Sequence, residues 1–323
     1  MKAYLGHLQT ILGAKLPFRA FAPQRQEILT LKEGDQLVLH INTPPYPKPE
    51  APLAILFHGL CGSHQANYVT RIARKLCRQG VDVIRVDFRG CGAGAGKAKG
   101  LAHSGRSEDA LAVLEWCHQH KQRPLLPIGF SMGGNIILKC LGELGQRAAA
   151  LNIVKAIAIS PPVDLAACAD MMEHKNNAVF RHYFMQQLND VVAQRHQDYP
   201  ELGDAPHFDL QTGFWEFDEQ YTAPHSGFTS ATDYYQQSSA YTVLQNIAVP
   251  CHILSALDDP FISSAALQHA TSDLLHITLT QRGGHLGFLG NPLIGSFRKM
   301  DRYVLGNSQL CNFIGNGFLY EFI

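Results

Sequence analysis

The chain has 323 residues, of which 46% are hydrophobic and 17% charged, and its 27 lysines and arginines balance 27 aspartates and glutamates. This length and apolar content suffice for one large core plus an insertion. A formal net charge of zero gives no electrostatic case for nucleic acid or an anionic membrane surface as a partner.

No apolar stretch approaches the ~20 residues that span a bilayer, and residues 1–7 lack the apolar core and cleavage site of a signal peptide. We therefore expect no transmembrane segment and a cytoplasmic location. The eight cysteines form no Cys-x-x-Cys pair, which favours reduced thiols. The chain contains no His-Glu-x-x-His motif or paired-ligand spacing, so we expect neither a metal nor a cofactor.

Residues 1–25 contain two prolines and few periodic signals, which predicts an irregular N-terminal arm. Strand and helix patterns then alternate, which is typical of a mostly parallel sheet wound on both faces. The predicted strands span residues 27–31, 36–41, 54–57, 81–86, 124–128, 155–160, 250–256 and 275–280, and the predicted helices 68–78, 108–118, 136–144 and 178–194. Residues 26–163 and 249–323 are predicted to form the core, with residues 164–248 as a lid or cap insertion.

The buried-strand pattern at residues 54–57 ends in the loop His58-Gly59-Leu60. Gly59 gives the backbone of this loop room to turn inward. His58 is interpreted as a residue that braces the loop through hydrogen bonds.

A glycine-rich segment, Gly90-Cys91-Gly92-Ala93-Gly94-Ala95, follows strand 81–86 and fits a loose Gly-x-Gly-x-x-Ala pattern. A dinucleotide-binding turn is the alternative that this pattern raises. Against it, no helix opens directly after the segment, and the strand is not the first of its sheet. We therefore interpret it as a loop at the mouth of the site.

The segment Gly129-Phe130-Ser131-Met132-Gly133 joins a predicted strand to a predicted helix. Gly-x-Ser-x-Gly in that context is typical of a nucleophile elbow, a strained turn that needs small residues two before and two after the serine. The turn would place the Ser131 hydroxyl at the start of the helix, with the Met132 N–H facing a developing oxyanion. In sites of this kind a second oxyanion donor comes from the loop after an early strand, and we predict that the Leu60 N–H is this donor. The alternative role for Ser131 is a helix N-cap. Pro127 is unusual for a central strand, because it donates no ladder hydrogen bond.

The insertion contains many aromatic residues. They are Phe208, Phe214, Trp215, Phe217, Tyr221, Phe228, Tyr234 and Tyr235. These side chains either form an apolar acyl-binding cap over Ser131 or constitute the insertion's own small core, and both can hold for different residues.

Two late strands end in polar residues that suit a nucleophilic serine, which needs a base and an orienting carboxylate. Strand 250–256 leads into Asp258 and Asp259, and strand 275–280 leads into Gly283-Gly284-His285. Ser, Asp, His is the chain order of elbow-type sites. We predict His285 as the base and Asp259 as its partner, because the Asp-Pro-hydrophobic stretch suits a loop that carries the acid. Asp258 is the alternative, and the other aspartate would form the turn.

Six motifs occur together along the chain. They are His58-Gly59-Leu60 with Gly62-Ser63, Phe88-Arg89-Gly90-Cys91, His103-Ser104-Gly105, Gly129 to Asn135, Asp258-Asp259-Pro260-Phe261 and Gly283 to Phe288. In this set, roughly over residues 10–295, the chain resembles the YheT-like branch of the α/β-hydrolases. That branch includes bacterial proteins classed as esterases and eukaryotic relatives linked to medium-chain ester synthesis or hydrolysis and to phospholipid cleavage. The resemblance implies an α/β-hydrolase fold and a triad of Ser131, Asp259 and His285. Residues 307–323 show no counterpart to the branch's Trp-bearing C-terminal helix.

These observations predict a serine esterase or lipase-like hydrolase acting on a small-molecule carboxylic ester with an apolar acyl chain. The alternatives are an acyltransferase that passes the acyl group to an alcohol and a non-catalytic binder on the same fold.

Overall fold

One eight-stranded sheet organises the computed structural model, which describes residues 2–16, 18–270, 272–290 and 298–308. Its strands are β1 (Arg25–Thr30), β2 (Gln36–Asn42), β3 (Leu53–Phe57), β4 (Val83–Asp87), β5 (Leu125–Phe130), β6 (Ala156–Ile159), β7 (Cys251–Ala256) and β8 (Leu275–Thr280). They lie in the order β1-β2-β4-β3-β5-β6-β7-β8. Strand β2 runs antiparallel to β1 and β4, and the remaining pairs are parallel. The predicted mostly parallel α/β fold is therefore confirmed.

Helices cover both faces of the sheet. They are α1 (Lys2–Lys15), α2 (Asn67–Arg78), α3 (Ser107–Lys121), α4 (Met132–Leu144), α5 (Leu165–Glu173), α6 (Ala178–Asp198), α7 (Phe214–Phe217), α8 (Ala223–His225), α9 (Ala231–Ser238), α10 (Ala265–Gln268) and α11 (Lys299–Asn307). Helices α3 and α4 share one apolar cluster with the sheet, and α2 and α11 share the other. Because both faces are covered, the whole of β3 is buried, which explains its uninterrupted apolar sequence.

Pro127 lies in the middle of β5, where a missing N–H is expected to weaken the ladder. Leu125 N donates to Asn152 O and Ser131 N donates to Ile159 O, both at 2.8 Å, so the odd-numbered residues of β5 face β6. The missing N–H of Pro127 therefore faces the point where β6 is only beginning. A proline is tolerated there because it removes a hydrogen bond from the end of the ladder.

The irregular arm predicted for residues 1–25 is wrong over most of its length, since α1 occupies Lys2–Lys15. Two glycines, Gly6 and Gly13, lower the helical propensity of this segment and hide its period. In the structure the two glycines are contact points. A Cβ on Gly13 would lie 2.7 Å from Gly287 Cα, and Gly6 lies against the Asp258 carbonyl. Tertiary packing therefore stabilises a helix that local sequence disfavours.

The insertion between β6 and β7 is helical. It contains α5, α6, α7, a π-helical turn (Asp218–Thr222), α8 and α9. Three small apolar clusters lie mostly within it, so its aromatic residues do form a core of their own. Several of the same rings also line the cavity described below.

Within the described ranges, no helix combines the length and the apolar character that crossing a membrane requires. The seven cysteines of those ranges are free thiols. Cys311 and most of residues 307–323, where the sequence shows no counterpart to the Trp-bearing helix, lie outside the described residues.

Candidate active site

Ser131 sits in a strained turn between β5 and α4. Its backbone has φ 51° and ψ −121°, a left-handed conformation that is uncommon for a residue with a side chain. A Cβ on Gly133 would lie 2.6 Å from His58 O, and one on Gly129 would overlap the backbone of Gly133. Neither glycine position has room for a side chain, which is the local reason for the Gly-x-Ser-x-Gly pattern. No side-chain capping bond from Ser131 to α4 is present in this described segment.

The Ser131 hydroxyl belongs to a continuous series of hydrogen bonds. Ser131 Oγ lies 2.9 Å from His285 Nε2, and His285 Nδ1 lies 2.9 Å from Asp259 Oδ2. The second Asp259 oxygen accepts the backbone N–H groups of Phe261 and Ile262 at 3.1 and 3.0 Å. The carboxylate is thus fixed by its own loop, and it accepts the Nδ1 hydrogen, which leaves Nε2 to accept from the serine.

Asp258 lies beside this series without joining it. Its Oδ1 accepts the N–H groups of Gly283 and Gly284 at 2.7 and 2.9 Å. The structure therefore places Asp259 on the His285 ring and Asp258 on the backbone just before that ring. Asp258 holds the neighbouring loop, a tertiary role that sequence reasoning missed when it assigned the second aspartate to a turn.

The loop after β3 lies against the serine. A Cβ on Gly59 would lie 3.1 Å from Ser131 Cβ, and Gly59 N donates to the Tyr68 hydroxyl at 2.9 Å. Burial raises the pKa of Tyr68 to about 12, so the phenol is neutral near pH 7. Leu60 and Met132 border the same cavity as Ser131. Met132 opens α4, where the first N–H groups have no acceptor within the helix.

His58 holds this loop through hydrogen bonds, which is the role predicted for it. Its Nδ1 donates to Gly59 O at 2.7 Å, and its Nε2 accepts from Phe88 N at 3.4 Å. Burial lowers the pKa of His58, which favours the neutral imidazole that this bonding pattern needs.

A buried cluster of metal-ligand type, His40, His64 and Asp87, lies behind the loop. Asp87 Oδ2 accepts from His40 Nε2 at 2.9 Å and from His64 Nδ1 at 2.7 Å. The two rings stack with their centroids 3.4 Å apart. When two imidazoles bind one tetrahedral ion, their ring centroids are about 5 Å apart. The cluster therefore fits a hydrogen-bonded carboxylate better than a metal. Burial alone would raise the pKa of Asp87, but the bonds from both histidines hold it well below its usual range.

The glycine-rich loop does not form a nucleotide site. Helix α3 begins only at Ser107, well after Gly94, so no helix N-terminus follows the loop. Ala93 N instead donates to Asp87 Oδ2 at 2.8 Å. The loop borders a small cavity of about 50 Å³ beside Leu60 and Met132, near the predicted mouth of the site.

An apolar cavity of about 140 Å³ opens at Ser131 between the sheet and the insertion. Most of its lining residues belong to the insertion between β6 and β7, through side chains such as Met172, Phe184, Leu188 and Phe214. Aliphatic and aromatic walls of this kind favour an apolar ligand group.

One acidic side chain, Asp218, also lines this cavity. Its Oδ2 accepts the Tyr235 hydroxyl at 2.7 Å. Burial raises the pKa of Asp218 to about 6, because hydrogen bonds from Thr222 and Tyr235 only partly offset desolvation of the carboxylate.

Comparisons with known proteins concern the fold and the family of the chain. The family model described as alpha/beta hydrolase fold matches residues 52–292. "Putative esterase YheT" of Escherichia coli (strain K12) is 32% identical over 294 residues, covering 89% of this chain and 85% of that protein. "Phospholipase ABHD3" of Mus musculus is 26% identical, covering 87% of this chain and 70% of that protein.

A solved structure of the Pyrococcus furiosus esterase Pf2001 shares the fold, with a TM-score of 0.56 and 16% identity over 90% of this chain and 98% of that chain. On the family match and the identity to the bacterial relative, the chain belongs to the α/β-hydrolase family, in its YheT-like branch.

Proposed function

We propose that the protein is a carboxylic ester hydrolase with Ser131 as its nucleophile, His285 as general base and acid, and Asp259 as the carboxylate that orients His285. The observation that carries this proposal is the unbroken series from Ser131 Oγ through His285 to Asp259 Oδ2, at the wall of an apolar cavity. The names of the esterase and phospholipase relatives support the same reaction class.

The proposed reaction has two halves. Ser131 Oγ attacks the acyl carbon while His285 Nε2 takes its proton, and the same proton then goes to the leaving alkoxide. This leaves the acyl group on Ser131. A water molecule, deprotonated by His285, attacks that acyl group, and the carboxylic acid departs as the proton returns to Ser131.

Leu60 and Met132 N–H groups are proposed to stabilise the oxyanion of both tetrahedral intermediates. The fit of Gly59 against Ser131 and the open first turn of α4 support this assignment. Losing one such donor typically costs about 3 kcal/mol of transition-state stabilisation. We propose that the insertion of residues 164–248 acts as a lid whose apolar inner wall receives the acyl chain.

Hydrolysis of p-nitrophenyl esters of graded acyl length by the wild type and Ser131→Ala tests the proposal. We expect turnover by the wild type and a loss of at least about 10³-fold in kcat in the variant. Equal turnover by a folded Ser131→Ala protein would refute the assignment of the nucleophile. No turnover of any ester would favour a non-catalytic binder.

A further inference from the structure

We infer that α1 is a positioning element of the active site, in which the Thr10 hydroxyl fixes the backbone of His285 and so aims its imidazole at Ser131. This inference rests on the proposed role of His285 as the base.

The Thr10 hydroxyl makes two hydrogen bonds. It accepts the His285 backbone N–H at 2.8 Å and donates to Gly6 O at 2.8 Å. Thr10 and His285 are 8% and 9% exposed, so water does not readily replace either bond. Since the hydroxyl hydrogen is committed to Gly6, its oxygen is oriented to receive the His285 N–H.

Close backbone contact makes the placement of α1 specific. Gly6 and Gly13 are two helical turns apart and therefore share one face of α1. A Cβ on Gly13 would lie 2.7 Å from Gly287 Cα, and one on Gly284 would lie 3.0 Å from Thr10 N. The loop that carries His285 thus lies directly on the side-chain-free strip of α1.

The loop needs outside support because its own conformation is strained. Leu286 and Phe288 have φ of 59° and 41°, in the left-handed region that residues with side chains rarely adopt. Asp258 holds one side of the loop through Gly283 and Gly284. Helix α1 holds the other side, where Gln9 Oε1 also accepts the Leu289 N–H at 3.0 Å.

Helix α1 is in turn tied to the loop that carries Asp259. His7 Nε2 lies 3.0 Å from Asn177 Oδ1, and Asn177 Nδ2 donates to Pro260 O at 2.6 Å. Gly6 of α1 also lies against the Asp258 carbonyl, so the N-terminal helix contacts both loops whose side chains meet at the serine.

The test compares Thr10→Val, which removes the acceptor and keeps the shape, with Thr10→Ser, which keeps the hydroxyl. Thr70→Val is the matched control, because Thr70 is buried in α2 and its hydroxyl donates to His64 O. For Thr10→Val we expect kcat on a p-nitrophenyl ester to fall about 10- to 100-fold with KM within about twofold, as for a misaligned base. Thr10→Ser and Thr70→Val should both keep kcat within about threefold of the wild type.

The rate of fluorophosphonate labelling should fall with kcat in Thr10→Val, while the final fraction of labelled protein stays complete. An unchanged kcat in Thr10→Val, or an equal loss in Thr10→Ser, would overturn the inference. If Thr10→Val does not fold, Thr10→Ala, which removes the same hydroxyl acceptor, decides: a loss of kcat of about tenfold or more supports the inference, and an unchanged kcat contradicts it. A wild type that neither turns over nor labels would instead contradict the proposed function.

Discussion

Asp259 binds the ring of His285, and its sequence neighbour Asp258 binds the backbone just before that residue. Asp259 Oδ2 lies 2.9 Å from the ring nitrogen Nδ1, and Asp258 Oδ1 receives the N–H groups of Gly283 and Gly284 at 2.7 and 2.9 Å. One carboxylate thus sets the tautomer of the ring, and the other sets the path of the backbone that carries it.

This division of labour predicts different outcomes for Asp259→Asn and Asp258→Asn. Asparagine at 259 can still accept from Phe261 and Ile262, so the fold should survive, but His285 would take the wrong tautomer and kcat should fall on the order of 10³- to 10⁴-fold. Asp258→Asn should cost about tenfold in kcat at most, with some loss of stability. Steady-state kinetics and thermal unfolding check both. An inactive Asp258→Asn beside an active Asp259→Asn would reverse the assignment.

The close packing of the elbow predicts that one added methyl group at Gly133 lowers the free energy of unfolding. In Gly133→Ala the new Cβ would meet the carbonyls at the end of β3, 2.6 Å from His58 O. Because backbone there cannot move cheaply, we expect a loss of roughly 1–3 kcal/mol or more in the free energy of unfolding. Gly306→Ala in α11 is the control, since its Cβ would have no neighbour within 4 Å and helix propensity should favour it. Urea unfolding of both variants measures the difference. Equal stabilities would mean that the turn is less constrained than described.

Asp218 predicts a pH-dependent stability. Its pKa is raised to about 6 in the folded chain against an ordinary 3.8, so the folded state holds a proton that the unfolded state releases. The contribution of this group to the free energy of unfolding is fully present below about pH 4. It is lost as the pH rises through 6, a total of roughly 2–3 kcal/mol. Asp218→Asn should therefore be more stable than the wild type at pH 7.5 by about that amount and no more stable at pH 4. The exposed Asp204→Asn, from the same insertion, is the control. A difference that does not change with pH would contradict the prediction.

The cavity predicts that chain-length preference is set by the insertion. Leu188→Trp would place a larger side chain in the cavity, at the wall supplied by α6. We expect kcat/KM for long-chain p-nitrophenyl esters to fall at least about tenfold, and that for the acetyl ester to stay within about threefold. Leu210→Trp, at a side chain that is 42% exposed, should change neither value. A uniform loss across all acyl lengths would show that the acyl chain binds elsewhere.

The elbow, the acid and the histidine could be predicted because each follows from a local pattern at the end of a strand, and chain order relates them. Helix α1 could not be predicted, because Gly6 and Gly13 look like helix breakers until the backbone they contact is known. The role of Asp258 could not be predicted either, because its partners at Gly283 and Gly284 are backbone N–H groups, which every residue except proline provides. Tyr68 carries no motif either, and only the fold brings its hydroxyl to Gly59. Contacts between distant segments therefore account for most of what the sequence did not predict.

The site of covalent labelling by a fluorophosphonate tests the assignment of Ser131 most directly. We expect Ser131 Oγ to displace fluoride from phosphorus, and peptide mass spectrometry to find one label per chain, on the peptide containing Ser131. Ser131→Ala should take up none. Labelling at another residue, or no labelling of a folded protein that hydrolyses esters, would contradict the assignment of Ser131 as the nucleophile.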